Sequence, residues 1–182
     1  MEPVHPPSPP PPAPFIVTAE LPADIFSWAN GLRAENYPPE RNWLKAHVTL
    51  FHSFAPSLRD ELPRFLARMA GEYAAPPAEV SGLIDLGGGT ALAIRSPGML
   101  TIRERIAEHF WHMLTSQDQG GKKLHITVQN KVPRQTAMAL QAELGARLKP
   151  RTFAFTGLGL HLYRNPHWEA VGVWRLRGKV QG

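Results

Sequence analysis

Residues 46–50 read Ala-His-Val-Thr-Leu, and residues 124–128 read Leu-His-Ile-Thr-Val. Both stretches alternate apolar and polar residues and are rich in β-branched side chains, which predicts a half-buried strand in each half of the chain. Because residues i and i+2 of a strand project from the same face, each strand presents one histidine and one threonine together, with its apolar residues on the opposite face. Two such strands predict the two halves of one active site.

The paired His-x-Thr motifs resemble those of the two-histidine (2H) phosphoesterase superfamily, in particular its 2'-5' RNA ligase/cyclic phosphodiesterase branch. The stretches FIVTAELP at 15–22 and LHLYR at 160–164 are also similar to that family, as is Trp43, four residues before the first motif histidine. The likeness runs from residue 15 to residue 178. It implies an α+β fold with two pseudo-symmetric lobes, each an antiparallel sheet with helices, around a central cleft.

Composition predicts a single domain of ordinary size. A chain of 182 residues with 43% hydrophobic content can bury a substantial core. Residues 1–14 contain eight prolines, which predicts an extended, disordered arm. We therefore expect the domain at 15–178 and a short C-terminal tail at 179–182. No apolar run is long enough to cross a bilayer and no signal-peptide pattern is present, so we expect no membrane partner and a cytoplasmic location.

Hydrophobic periodicity predicts alternating strands and helices in both halves of the domain. The triple glycine at 87–89 lacks the Lys-Ser/Thr of a phosphate-binding loop and predicts a hairpin turn. The predicted strands lie at 15–20, 47–51, 78–86, 90–95, 124–129, 152–162 and 168–176, and the predicted helices at 23–36, 58–69, 99–114 and 134–148.

The four motif residues have the chemistry that cleavage of a phosphodiester requires. One of His47 and His125 would remove a proton from the attacking water, and the other would protonate the departing ribose oxygen, since histidine titrates near neutral pH. The hydroxyls of Thr49 and Thr127 would donate to the non-bridging oxygens as they gain charge. The site so described needs no metal or cofactor. The resemblance favours His125 as the base and His47 as the acid.

Four further residues are candidates for binding the substrate. Strand alternation places Phe51 on the face of the first motif histidine, where its ring would stack on a base or line the cleft, and packing in the core is the open alternative. Lys131 and Arg134 follow the second motif and would hold phosphate. Tyr163 matches a position that the resemblance implies at the cleft.

These observations predict a metal-independent phosphodiesterase that opens 2',3'-cyclic phosphate ends of RNA or nucleotides to 2'-phosphates, with reversible 2'-5' RNA ligation at the same site. The net charge of +5 fits an anionic partner, and the absence of cysteine excludes thiolate catalysis and disulfides. Two alternatives stay open: a phosphodiesterase for 2'-5' oligoadenylates or ADP-ribose cyclic phosphate, and a non-catalytic module that binds RNA or nucleotides. We expect a monomer.

Overall fold

The computed structural model describes residues 12–121 and 123–182. Residues 1–11, most of the predicted proline-rich arm, lie outside the described residues. The elements follow one another as β1 (Phe15–Glu20), α1 (Ala23–Asn36), β2 (Val48–Phe54), α2 (Glu61–Glu72), β3 (Pro77–Asp85), β4 (Thr90–Arg95), α3 (Pro97–His109), α4 (Ser116–Gln119), β5 (His125–Gln129), α5 (Arg134–Arg147), β6 (Arg151–Ala154), β7 (Gly157–Arg164) and β8 (His167–Arg175).

The strands form two antiparallel sheets of four strands each, in the orders β2-β1-β7-β8 and β5-β4-β3-β6. The first sheet carries the first motif on β2, and the second carries the second motif on β5. Helix α2 packs against β7 and β8, whereas α5 packs against β3 and β4. This arrangement confirms the predicted α+β fold with two sheet-and-helix lobes.

The apolar residues of both motifs anchor their strands in the core, as the alternation predicts. Val48 and Leu50 on β2 are fully buried, and so are Ile126 and Val128 on β5. Burying an aliphatic side chain of this size contributes roughly 1.5–3 kcal/mol. The core therefore fixes which faces of β2 and β5 turn toward the cleft.

Helix α1 joins the two lobes. It follows β1 of the first sheet in the chain, yet it packs on β5 of the second sheet. Its start after Pro22 and its bounds agree with the prediction, because proline is compatible with a helix N-terminus but not with a helix interior. The helix therefore contacts the strand that carries the second motif while it remains tied to the strand beside the first.

The prediction of one long strand at 152–162 is wrong. The chain forms β6 in the second sheet and then crosses to form β7 in the first. At the crossing, the Phe155 amide donates to the carbonyl of Pro76, and the Thr156 amide donates to the carbonyl of Glu20. Successive backbone groups thus bond to different sheets, and the fully buried Phe155 ring holds the crossing in the core.

Two smaller expectations also differ from the structure. The helix predicted at 99–114 ends at His109 and is followed by a separate 3-10 turn at Trp111–Met113. The residues predicted as a C-terminal tail pack on the domain: Val180 pairs with Tyr73 in a parallel bridge, and its carbonyl accepts from the Ala74 amide. Backbone hydrogen bonds therefore hold this terminus in place.

Candidate active site

Both motif histidines are held by the same local hydrogen bond. His47 Nδ1 lies 2.7 Å from the Lys45 carbonyl oxygen, and His125 Nδ1 lies 2.8 Å from the Lys123 carbonyl oxygen. A carbonyl oxygen only accepts, so each Nδ1 carries a proton and donates it. When the rings are neutral, each Nε2 is left with a lone pair for proton transfer.

The two motif strands approach each other across the cleft, where β2 contacts β5. Thr49 pairs with Thr18 of β1, and Thr127 pairs with Ala91 of β4. Both motif threonines are half-buried. The histidines are close enough that a charge on His125 disfavours the charged form of His47.

Arg33 of α1 connects the two motifs. Only 3% of its surface is exposed. Its guanidinium donates to the carbonyl of Thr127 at 2.9 Å, to the carbonyl of Leu44 at 2.9 Å and to Asn42 Oδ1 at 2.7 Å. One residue therefore holds the second motif strand and the loop that leads into the first motif. The positive charge of Arg33 also disfavours the protonated form of His47.

His47 is kept neutral by its surroundings. Burial lowers its pKa to about 4, against an upward contribution from the bond to Lys45, and the nearby charges of Arg33, His161 and His125 lower it further. Its ring centroid lies 4.6 Å from that of Trp168. At neutral pH the His47 ring therefore offers an unprotonated Nε2.

A cavity of about 550 Å³ opens beside His47 on the face of the first sheet. Trp43 and Trp168 contribute aromatic surface to it, while Glu20 and His161 contribute polar groups. The Trp168 ring contacts His47 and also His161, whose ring centroid lies 5.4 Å from that of Trp168. His47 is thus part of the lining of this cavity.

Thr18, Glu20 and His161 form a fixed hydrogen-bond chain on the floor of this cavity. The Thr18 hydroxyl donates to Glu20 Oε1 at 2.9 Å and lies 3.1 Å from His161 Nε2. A hydroxyl has one proton, so Thr18 accepts from His161, and that Nε2 carries a proton. Burial lowers the pKa of His161, although the charge of Glu20 raises it. A Cβ at residue 159 would clash with Thr18 and Glu20, so Gly159 makes room for the chain.

Phe51 does not line the cleft, and the expectation from strand alternation is corrected. Thr18 pairs with Thr49 but Val17 pairs with Phe51, so Leu50 is an extra residue in β2. Such a β-bulge reverses the alternation that follows it. The Phe51 ring is fully buried in the core, with the guanidinium of Arg103 4.6 Å from its centroid.

Two of the other predicted substrate-binding residues lie away from the histidines, whereas the third lies beside Trp168. His125 begins β5, whereas Lys131 and Arg134 follow the other end of that strand, and a strand of five residues spans about 15 Å or more. Arg134 is paired with Asp85 at 2.6 Å, and this hydrogen bond holds the pKa of Asp85 well below its usual range. Tyr163 is exposed on β7 and pairs with Trp168 of β8, whose ring contacts His47 and His161; its hydroxyl donates to Asn165 Oδ1 at 3.0 Å.

The sequence contained a partial signal for the polar residues of the cavity. Thr18 and Glu20 alternate with the buried Val17 and Ala19 on β1, which is a central strand of its sheet. Two polar residues on one face of a central strand indicate a face that is not core. Arg33 gave no such signal, because a single arginine in a helix is typical of a solvated residue.

The part of the chain that the structure describes contains neither a cluster of metal-ligating side chains nor a membrane-spanning helix. In the ranges 12–121 and 123–182, no three or more His, Asp or Glu side chains are grouped so that they could hold a metal ion. Over the same residues, no helix combines the length and apolar character that crossing a membrane requires.

Comparison with known proteins places this geometry in a family. The sequence model of the 2'-5' RNA ligase superfamily matches residues 21–167. The fold is similar to that of TT0787 of Thermus thermophilus, with a TM-score of 0.65 and 16% identity over 92% of this chain and 100% of that one. It is also similar to E. coli LigT complexed with NADP+, with a TM-score of 0.56 and 18% identity over 91% of this chain and 98% of that one. No curated protein matches the chain in sequence. Since the family match covers most of its length, the chain belongs to the 2'-5' RNA ligase superfamily.

Proposed function

We propose that this protein hydrolyses 2',3'-cyclic phosphate ends of RNA or nucleotides to 2'-phosphates, with His47 and His125 as the acid–base pair. The observation that supports the proposal is the matched pair of Nδ1 hydrogen bonds, which orient both rings and leave both Nε2 atoms available for proton transfer. In the proposed mechanism one such group acts on the side of the attacking water and the other on the side of the leaving oxygen. Thr49 and Thr127 would donate to the non-bridging oxygens of the reacting phosphorus.

In the proposed step, water attacks phosphorus as one Nε2 accepts a proton from it. The bond from phosphorus to the ribose 3' oxygen breaks, and the other Nε2, protonated beforehand, donates its proton to that oxygen. The product is a 2'-phosphomonoester with a free 3' hydroxyl. The same step with a ribose 5' hydroxyl in place of water would form a 2'-5' linkage, and its reversal would cleave that linkage back to the cyclic phosphate, so one site would serve both reactions.

The surroundings of His47 favour it as the base that activates water. Its low pKa, about 4, leaves Nε2 unprotonated in the free enzyme at neutral pH. His125 would then protonate the leaving oxygen. This assignment is opposite to the one that the family resemblance favoured.

The substrate class is supported by family and charge. The chain belongs to a superfamily described by 2'-5' RNA ligation, and structures of E. coli LigT, which shares this fold, contain 3'-AMP or ATP. The net charge of +5 favours an anionic substrate. The monomeric state, the cytoplasmic location and the domain bounds of 15–178 remain predictions that accompany the proposal.

The test is hydrolysis of the four common nucleoside 2',3'-cyclic monophosphates by purified protein in EDTA. We expect turnover that yields only the 2'-phosphate and that falls by at least about 10³-fold in His47→Ala and in His125→Ala. His112→Ala, at an exposed histidine of the turn after α3, is the matched control and should keep full activity.

Other outcomes would separate the alternatives. Binding of these nucleotides without turnover by a folded protein would contradict the hydrolytic function and favour the non-catalytic module. Turnover confined to 2'-5' oligoadenylates or ADP-ribose cyclic phosphate would replace the proposed substrate while keeping the mechanism.

A further inference from the structure

The aromatic surface of the cavity beside His47 suits a planar ligand. Its volume of about 550 Å³ falls in the range of sites for small molecules, roughly 300–1,000 Å³. The Trp43 side chain is 53% exposed at its rim, and the Trp168 ring lies between His47 and His161. Indole rings are good surfaces for a nucleobase, since every base has a face on which an aromatic ring can stack.

The polar floor of the cavity offers hydrogen-bond acceptors. Glu20 Oε1 already accepts from Thr18, and among the described residues no donor reaches its other oxygen, Oε2. His161 uses its Nε2 proton on Thr18, which leaves Nδ1 as an acceptor when the ring is neutral. Because the Thr18 hydroxyl holds the carboxylate and Gly159 leaves room for it, its position is set before a ligand binds.

The four common bases differ in how they match a carboxylate. Guanine presents two adjacent donors on its pairing edge, N1–H and the 2-amino group, which a carboxylate can accept together. Adenine and cytosine present one amino group beside an accepting nitrogen, and uracil presents one N–H between two carbonyl oxygens. A fixed carboxylate without a neighbouring donor therefore selects guanine, in the way that paired contacts discriminate bases elsewhere.

We propose that this cavity binds the nucleobase of the substrate and prefers guanine, with Glu20 as the residue that determines the preference. The proposal rests on the proposed function, because a phosphate at His47 and His125 directs the attached nucleoside into the adjoining cavity. Trp43 and Trp168 contribute stacking that is the same for every base, and Glu20 contributes the discrimination.

Calorimetric binding of nucleoside 2'-monophosphates to the intact protein tests this preference without requiring turnover. We expect the guanosine nucleotide to bind at least about tenfold more tightly than those of adenosine, cytidine and uridine. The inosine nucleotide, which lacks the 2-amino group, should lose most of that advantage. Equal affinities for all bases would overturn the proposal, and so would the absence of binding by every nucleotide.

Glu20→Gln is the decisive variant because it keeps the size of the side chain and replaces one accepting oxygen with a donor. We expect guanosine affinity to fall about tenfold or more while adenosine affinity is kept or rises, since an amide pairs with the edge of adenine. Glu143→Gln, at an exposed glutamate paired with Arg147 on α5, should change neither. Retained guanine preference in Glu20→Gln would overturn the assignment of this residue.

The stacking contribution has its own variant and control. Trp43→Ala should weaken binding of all four nucleotides by a similar factor, about fivefold or more. Trp111→Ala, at a tryptophan that is 46% exposed outside the cavity, should have no effect. Because these measurements report binding, guanine-selective binding without hydrolysis would overturn only the proposed function, and hydrolysis without base preference would overturn only this inference.

Discussion

Arg33 provides the sharpest test of how the two motifs are held together. In Arg33→Met the apolar stem remains but the guanidinium is lost, so the carbonyls of Leu44 and Thr127 and the side chain of Asn42 lose their donor. A partly buried acceptor without a partner costs about 1–3 kcal/mol. With low-end costs for three acceptors, we expect the free energy of unfolding to fall by about 3 kcal/mol. The melting temperature should then fall by about 6–12 °C.

The effect on catalysis should exceed what the loss of stability explains. Arg33 links the strand of Thr127 to the loop that leads into His47. Without the guanidinium, no hydrogen bond from residue 33 fixes the distance between the two halves of the site. A misplacement of about 1 Å can cost 10²-fold in rate. We expect kcat for a cyclic nucleotide, measured well below the melting temperature, to fall by roughly tenfold to hundredfold with a smaller change in KM.

The charge of Arg33 gives a second readout. That charge lowers the pKa of His47, so Arg33→Met should raise it and move the acidic limb of the kcat/KM profile to higher pH. Arg33→Lys keeps the positive charge but loses the several hydrogen-bond donors of the planar guanidinium, so it should lower kcat without moving that limb. Arg147→Met, which removes a surface pair with Glu143 at 3.1 Å, is the control and should cost less than about 1 kcal/mol. Destabilisation of Arg33→Met with wild-type kcat would refute the reasoning.

Three other residues give further predictions. If His47 is the base, kcat/KM should rise with pH through about 4, whereas a profile that only falls as the pH rises through about 4 would assign His47 as the acid. Burial raises the pKa of Asp118, but hydrogen bonds from His52 and from the Ser53 amide lower it further than burial raises it. The stability that Asp118 contributes is therefore present above about pH 4 and lost as the pH falls through its lowered pKa, and Asp118→Asn should cost about 2 kcal/mol at pH 7 in urea unfolding. Arg134→Met should leave kcat/KM within about twofold of wild type, because a surface pair of this kind contributes little, and a larger loss in the hydrolysis assay would restore Arg134 as a phosphate ligand.

The parts of the fold that depend on local pattern could be predicted from the sequence. The bounds of β1 and α1 agree with the prediction because alternation gives way to helical spacing at Pro22. The crossing between β6 and β7 could not be predicted, since it depends on carbonyls of Pro76 and Glu20 that are remote in the chain. A continuous alternating run does not record which sheet each backbone group bonds to.

The candidate site likewise has residues that local sequence pattern predicts and residues that it does not. The two His-x-Thr motifs can be found because both histidines are held by a carbonyl two residues earlier, so each half is defined within five residues. Phe51 was misassigned because the bulge at Leu50 depends on pairing with β1. Arg33 escaped notice because its partner Thr127 lies 94 residues along the chain. Local periodicity contains neither of these long-range contacts.

Acid–base catalysis by two histidines requires them to differ, although their motifs are alike. The repeated backbone geometry gives both rings the same tautomer and the same accepting atom. What packs on His47 then distinguishes it: α1 contributes the charge of Arg33, and the first sheet contributes Trp168 and the nearby His161. Sites that assign acid and base roles commonly do so by giving two similar groups different surroundings. In the proposed mechanism the division of roles would therefore follow from α1 and the cavity rather than from the motifs, and changes at Arg33 should affect it more than changes within the strands.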